Sequence, residues 1–287
     1  STDLVQGNAN SIAIGPAPKF LKEDTAYYSY DGHYFYTSYK NLVDDRKVNK
    51  NPYYNYYQYV PHRTTSYLNN VIYNTYVNDE SALYNQADVF FNIQAKYAIN
   101  ASMMYALALN ESGLGLSQYA LEYHNLFGHA AIDENPDNAN QYKSRAYCVQ
   151  QHAYNLLQQG YLNPEDSRYH GSWFGDKASG INVNYASDPY WGEKAASFYY
   201  QLDEDGIDQK KNPIKTIQLS KDLKVYAPNK KDVLYTYKKG SIVSINILKD
   251  EHRYYKISSE APVKDNHLNV NAKYKNSYAY IKKSDFK

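Results

Sequence analysis

The hydrophobic period of this 287-residue chain changes to helical near Ser81 and to short β runs past residue 206, and the second change most limits the folds open to it. From about Ser81 to residue 206, apolar residues recur at helical spacings. Beyond "DEDGIDQKKNPIK" they come in short runs, "LKVYA", "VLYTY", "SIVSINIL", "YYKIS" and "YAYIKK", with Lys, Asn, Asp and Gly between them. A period of 3.6 gives a helix one buried face, whereas short runs bounded by turn residues build a sheet. A multidomain α+β chain is expected, with a mainly helical unit over 81–206, a boundary near 206–214 and a small barrel-like β unit over 214–287.

Ahead of the helical block, residues 1–22 lack a periodic pattern and carry Gly15, Pro16 and Pro18, so they read as a leader or linker. A start at Ser1 reads as a mature or trimmed form. In residues 23–80, "YYSYDGHYFYTSY" alternates aromatics about Asp31-Gly32, the signal of a tight hairpin. "NPYYNYYQYVPHRTTSYLNN" then reads as an extended connector, because Pro52 and Pro61 disfavour helix around them. The chain has 36 Tyr against 2 Trp and 8 Phe. Tyrosine suits sugar-stacking surfaces, but an AT-rich coding sequence enriches it equally, so composition identifies no ligand.

Within the helical block, one helix is expected from Ser81 with Leu83, Ala87, Phe90, Phe91 and Ala98 on its stripe and Asp79 or Ser81 as N-cap. A second starts after Asn100 and sets Met104, Leu107, Ala108 and Glu111 at spacings i, i+3, i+4, i+7. Gly113 and Gly115 end it, and Ser117 caps a short helix through Tyr123. "NLFGHAAIDENPDN" reads as a short strand with a loop. A helix over Ser144–Gln159 turns Ala146, Val149, Ala153, Leu156 and Leu157 inward and stops at Gly160. The last opens with Asp188 as N-cap and Pro189 in its first position.

Glu111 is the residue this pattern does not explain. A carboxylate on a buried stripe costs several kcal/mol or takes up a proton. A raised pKa is what a general acid needs near neutral pH. A Glu bonded to an Arg or to backbone amides satisfies the same pattern, and spacing alone does not decide between them.

The order of three segments adds a resemblance. "ALNESGLGLSQYA", "HNLFGHAAIDENP" and "ASGINVNYASDPYWGEKAAS" resemble the signature segments of glycoside hydrolase family 73, the bacterial cell-wall N-acetylglucosaminidases, in particular those of the cell-separation type. The resemblance covers about residues 25–205. It implies a lysozyme-like, mainly α-helical catalytic domain with a small β-lobe, acting without a cofactor or metal on the β-1,4 bond between N-acetylglucosamine and N-acetylmuramic acid in peptidoglycan. Glu111 matches the family's general acid. Asp133 matches the carboxylate across the cleft, which activates water or assists attack by the substrate's acetamido group, with neighbouring Glu134 as its alternative. A separation of about 6.5–9.5 Å between the carboxyls marks inversion and about 5–5.5 Å retention. Tyr185 matches a cleft tyrosine near the scissile bond. Asn125 and Phe127 shape the lobe, Phe127 by packing. Asp188 serves as a helix cap rather than in catalysis. Tyr190 and Trp191 are candidates for a sugar subsite, with core packing favoured for Trp191.

The C-terminal runs resemble a bacterial SH3-like repeat, although Tyr-Tyr stands where a Trp is usual and the closing Gly is missing. That resemblance implies attachment to wall stem peptides or wall polymers, and an extracellular place at the cell wall. Other chemistry finds little support. A net charge of +1 with mixed signs argues against nucleic acid. Cys148 alone excludes an internal disulfide framework and reads as a packing residue. His124 and His129 lack a metal-ligand spacing. No apolar run is long enough to span a membrane, and no signal peptide is read. The competing readings are a lytic transglycosylase, which also uses one Glu in a lysozyme-like fold, and a non-catalytic wall-binding protein.

Overall fold

The computed structural model describes residues 2–5, 8–48, 56–58, 69–128, 141–211, 214–274 and 277–287. Its helices are α1 (Tyr39–Val43), α2 (Asn70–Tyr73), α3 (Ala87–Tyr97), α4 (Ala101–Glu111), α5 (Gln118–Glu122), α6 (Arg145–Gln151), α7 (Trp191–Leu202) and α8 (Ile207–Lys211). None of the helices among the described residues is long and apolar enough to cross a membrane.

The helical unit is built around α4. It starts after Asn100 as expected, and Asn100 caps it by accepting a hydrogen bond from the Met103 amide at 3.2 Å. Every residue from Ala101 to Leu109 is buried. This helix therefore has no solvent face, and Glu111 belongs to no stripe: it is the last residue of a core helix, half-buried where the helix emerges. Tyr105 stacks on Tyr73 with centroids 4.2 Å apart and meets Phe90 edge-on at 5.1 Å, joining α4 to α2 and α3.

The flanking helices depart from their expected bounds for local reasons. α3 starts at Ala87 rather than near Ser81, because the Ser81 hydroxyl accepts from the Leu83 amide at 3.0 Å and donates to the Leu114 carbonyl at 2.7 Å. Asn85, at φ 56, also breaks the run. Its inward residues are Ala87, Phe90, Ile93, Gln94 and Tyr97. Phe91 instead lies outward at 45% exposure, and Ala98 ends the helix in the left-handed region. α6 starts where expected, with Ser144 as its cap, the hydroxyl accepting from the Tyr147 amide at 3.1 Å. The helix passes through Gly160, however, widening into π-helical turns over His152–Tyr161, and Ala146 faces outward. The Arg168 guanidinium occupies the space a side chain at 160 would need, so Gly160 serves packing rather than termination.

At the N-terminus, Thr2–Val5 pair antiparallel with Asn8–Ser11 in the segment expected to be a linker. The aromatic element is held by one bridge, Tyr28 to Tyr36, in place of a two-residue hairpin. The Asp31 carboxylate accepts from the amides of His33 and Tyr34 at 2.8 and 2.9 Å, which closes a wider loop. At the other end, α8 extends the helical unit past residue 206. The buried Asp208 accepts hydrogen bonds from Tyr199 and from Asn100, the latter at 3.4 Å, so α8 is tied to α7 and to the cap of α4.

The C-terminal strands are β3 (Ile214–Gln218), β4 (Leu223–Tyr226), β5 (Val233–Tyr237), β6 (Ile242–Glu251), β7 (Tyr254–Ser258), β8 (Val263–Lys264), β9 (His267–Leu268) and β10 (Tyr278–Lys282), following β1 and β2 at the N-terminus. Six of them form one antiparallel sheet in the order β3-β6-β7-β10-β4-β5. Its buried side carries Leu223, Val225, Val243, Ile245, Ile257 and Ile281.

Candidate active site

The end of α4 positions Glu111. After it, Ser112 closes the turn: its hydroxyl accepts from the Gly115 amide at 2.8 Å and its carbonyl from Ser117 at 3.0 Å. Gly115, at φ +78, packs against Ser81, where a Cβ would overlap the Ser81 hydroxyl. A Cβ at Gly113 would meet nothing within 4 Å, so this position stands open beside the acid.

The first turn of α7 faces Glu111. The Trp191 indole N–H donates to Glu111 Oε1. Trp191 is only 3% exposed and packs edge-on against Phe174 at 5.3 Å, so the packing role expected for it holds and its N–H adds a polar one. The other carboxyl oxygen faces Gly128: a Cβ there would lie 3.9 Å from Glu111 Oε2. Burial pushes the Glu111 pKa up, the Trp191 bond opposes this by favouring the charged form, and the negative charge of Asp188 raises it further. The C-terminal end of a helix is also the negative end of its dipole, which works in the same direction as burial.

Tyr185 stands beside this pair, its ring 4.6 Å from Trp191 and 5.4 Å from Tyr161. Burial, and next the charge of Glu111, hold its hydroxyl well above the ordinary range, so it stays protonated. The segment carrying Tyr185 is fixed by Asn182, whose amide group donates to the Asp188 carbonyl at 2.7 Å and accepts from the Ala186 amide at 3.2 Å. The Lys177 ammonium spans the same loop, donating to the carbonyls of Asn182 and Ala186 at 2.6 Å each.

Asp188 accepts from the Tyr190 amide at 2.9 Å and pairs with Lys194 at 2.7 Å. Asp188 does not cap α7 and Pro189 is not its first residue: the helix begins at Trp191 with Tyr190 in the N-cap position, because the Asp188 carboxylate closes a separate turn before it. Tyr190 is exposed. Phe127 is buried and stacks on His152 at 3.8 Å, and His152 meets Tyr185 edge-on at 6.4 Å, so the aromatic wall continues from Tyr185 to Phe127. Asn125 is buried, its side-chain oxygen accepting from the Phe127 amide at 3.4 Å. Cys148 accepts from the Leu126 amide at 3.4 Å, and burial pushes its thiol up to about 12, which fits packing rather than nucleophilic chemistry. His124 bonds the Tyr142 carbonyl at 3.0 Å through Nδ1. Asp133, Glu134 and His129 lie outside the described residues.

Five contributors escape the sequence reading: Asn182, Lys177, His152, Tyr161 and Lys194. Only Lys194 carried a signal, its i+6 spacing from Asp188 across a turn and the start of a helix. The others look in sequence like ordinary members of a loop or a helix.

Residues 87–204 match the glucosaminidase family model, described as mannosyl-glycoprotein endo-beta-N-acetylglucosaminidase. That match lies within the helical unit. A Streptococcus pneumoniae protein of strain TIGR4 named "Putative endo-beta-N-acetylglucosaminidase" is 34% identical over 132 residues, which is 44% of this chain and 18% of that protein. Its namesake from strain R6 is 34% identical over 132 residues and is covered to 17%. The chain thus spans less than a fifth of the length of these relatives. Among solved structures, S. aureus autolysin E aligns with a TM-score of 0.40 at 19% identity, covering 65% of this chain and 87% of that one. A catalytic mutant of autolysin E in complex with the disaccharide NAG-NAM aligns with a TM-score of 0.38 at 17% identity, covering 60% and 81%.

Proposed function

We propose that this chain is a peptidoglycan hydrolase, an endo-β-N-acetylglucosaminidase that cleaves the β-1,4 bond between N-acetylglucosamine and N-acetylmuramic acid outside the cell. The observation that carries this reading is Glu111 at the mouth of a buried helix, with its pKa raised and its two oxygens in different settings, within the residues that match the glucosaminidase family model. Trp191 can only donate, so Oε1 serves as the acceptor and the proton resides on Oε2. That oxygen faces Gly128, five positions before Asp133 in sequence.

In the reaction, Oε2–H gives its proton to the glycosidic oxygen as the bond to the anomeric carbon breaks. Asp133 supplies the opposing carboxylate, by activating water or by supporting attack of the acetamido oxygen. Water adds to the anomeric carbon and its proton returns the site to the starting state. Tyr185, protonated and beside Glu111, orients the acetamido group or the water through its hydroxyl. Tyr190 lies exposed next to this wall and offers a ring to a sugar. The β unit, read as SH3-like, serves attachment to the wall.

Mass spectrometry of digested cell wall tests the reading. New N-acetylglucosamine reducing ends, absent with Glu111→Gln, are expected. 1,6-Anhydro-muramic ends would assign a transglycosylase, and undiminished clearing by Glu111→Gln would remove Glu111 from the chemistry. Asp133→Ala is expected to lower kcat far more than it raises KM.

A further inference from the structure

Two residues of the N-terminal aromatic element reach the helical unit beside the start of α7, which carries Trp191. The Asp31 carboxylate accepts from the amides of His33 and Tyr34, and the Ser29 hydroxyl accepts from the Gly32 amide at 2.9 Å, so the loop over 29–34 is fixed by its own side chains. Gly32 lies against Glu193 in the first turn of α7, where a Cβ would overlap the Glu193 carboxylate. His33 is turned inward and only 4% exposed. Its Nδ1 stands 3.4 Å from Asp176 Oδ2, an atom that is buried and has no hydrogen-bond partner among the described residues. With its proton on Nδ1, the imidazole is a donor facing this oxygen. The other oxygen, Oδ1, accepts from the amides of Ala178 and Ser179 at 2.8 and 3.1 Å.

The loop over 174–180, which Asp176 closes, touches both sides of the candidate site. Before Asp176, the Phe174 ring meets Trp191 edge-on, and the Gly175 carbonyl packs so closely on Gly192 that a Cβ there would overlap it. After Asp176, Lys177 holds the carbonyls of Asn182 and Ala186, which flank Tyr185 in sequence. The Phe174 carbonyl also accepts from the Asn182 amide at 2.8 Å. From outside the loop, the Gln58 carbonyl accepts from the Phe174 amide at 2.7 Å and its side chain from the Gly175 amide at 3.2 Å. Gln58 therefore supports Phe174 and Gly175, and His33 supports the Asp176 corner.

We propose that His33 is a positioning residue of the candidate active site: by holding Asp176 it fixes the 174–180 loop, and through Phe174 the direction in which the Trp191 indole N–H meets Glu111. Without an N–H toward Oδ2, a buried carboxylate oxygen loses its facing donor, and the corner must shift until water reaches it. Such a shift carries Phe174 and Gly175 with it. The first turn of α7 packs on both without spare room, since even a methyl group at 192 would collide, so the displacement passes to Trp191. The N-terminal element contributes no group to the chemistry, yet it belongs to the frame of the acid. The positioning of Trp191 stands on geometry alone, whereas its effect on turnover rests on the hydrolase reading.

Nuclear magnetic resonance of the full chain tests the proposal. The chain has two tryptophans and so two indole N–H signals; Trp191→Phe identifies that of Trp191, and Glu111→Gln shows how far it moves when the carboxylate is lost. His33→Ala is expected to move the Trp191 signal and to lower kcat about tenfold with little change in KM. His33→Asn keeps an N–H near the Nδ1 position and is expected to restore the signal and most of kcat. His33→Gln fills the space but carries its amide toward the Nε2 end, and is expected to behave as His33→Ala does, so it serves if the alanine variant fails to fold. Lys40→Gln, on the exposed side of α1, changes neither readout. Thermal unfolding confirms that each variant is folded. A Trp191 signal that stays in place, no recovery with His33→Asn, or undiminished kcat while Glu111→Gln is inactive would overturn the proposal. If Glu111→Gln keeps full turnover, the hydrolase reading fails and the indole signal alone decides the positioning.

Discussion

Replacing Trp191 with Phe removes one hydrogen atom that matters to Glu111 and keeps an aromatic ring in the space between Phe174 and Tyr185. The indole N–H favours the carboxylate form, so its loss raises the Glu111 pKa further. A hydrogen bond to a charged acceptor contributes about 1.5–3 kcal/mol, and the half-buried position of Glu111 reduces this by solvent screening. At about 1.4 kcal/mol per decade, the proton concentration at the midpoint of deprotonation should fall about threefold to tenfold. The alkaline limb of kcat/KM against pH reports the acid in the free enzyme, so that limb should move to higher pH. The maximal rate should fall as well, because Oε1 is no longer held and Oε2 loses its fixed direction. The smaller ring costs less stability than the roughly 3–5 kcal/mol of truncating an aromatic to Ala, which a urea titration checks. An alkaline limb that stays in place, or moves to lower pH in a folded variant, would refute the assignment of Glu111 as the acid tuned by Trp191.

Glu111→Gln is expected to abolish turnover and raise the melting temperature at pH 7. The folded pKa of Glu111 lies above its unfolded value, so the folded state binds more protons in that window and stability falls as pH rises through it; Gln removes this loss, and its advantage should vanish in scans at pH below the unfolded value. Asn100→Ala deletes the α4 cap and the donor to Tyr199 and Asp208, and should cost about 2–4 kcal/mol in urea unfolding. Asn182→Ala frees the loop that carries Tyr185 and Asp188, and should lower kcat/KM more than it lowers the melting temperature. Equal proportional losses in both would make Asn182 a purely structural residue.

Where one residue's local chemistry decided a feature, the sequence was a good guide. Helices start beside Asn100, Ser117 and Ser144 as expected, and each of the three caps its helix, because an N-cap needs only a short polar side chain and the next few amides. The glycines after Glu111 end α4 for a comparably local reason. The fit failed where a distant partner competes. Ser81 was a sound N-cap until the Leu114 carbonyl, 33 positions away, took its hydroxyl. Gly160 was a sound terminator until Arg168 filled the space beside it. The same limit applies to the site: Glu111 was legible as an acid without an obvious partner, but the partner lies 80 positions away on another helix. Spacing records which face of a helix a residue takes and does not record what the facing helix presents.

The two influences on Glu111 that oppose each other both come from the start of α7. Trp191 lowers its proton affinity by donating a hydrogen bond, and Asp188, three residues earlier, raises it by charge. The Asp188 carboxylate is in turn paired with the Lys194 ammonium at 2.7 Å. The protonation of Glu111 therefore depends on the geometry of a turn that contains no catalytic group: Asp188 held by the Tyr190 amide, Pro189 limiting the backbone, and the Asp188 carbonyl held by Asn182. Neutralising Asp188 as Asn keeps the turn, since Asn accepts from the same amide, and removes the charge. The Glu111 pKa should then fall and the alkaline limb move to lower pH, opposite to the Trp191→Phe variant. If both substitutions moved the limb in one direction, general damage to the α7 start would explain them better than electrostatics.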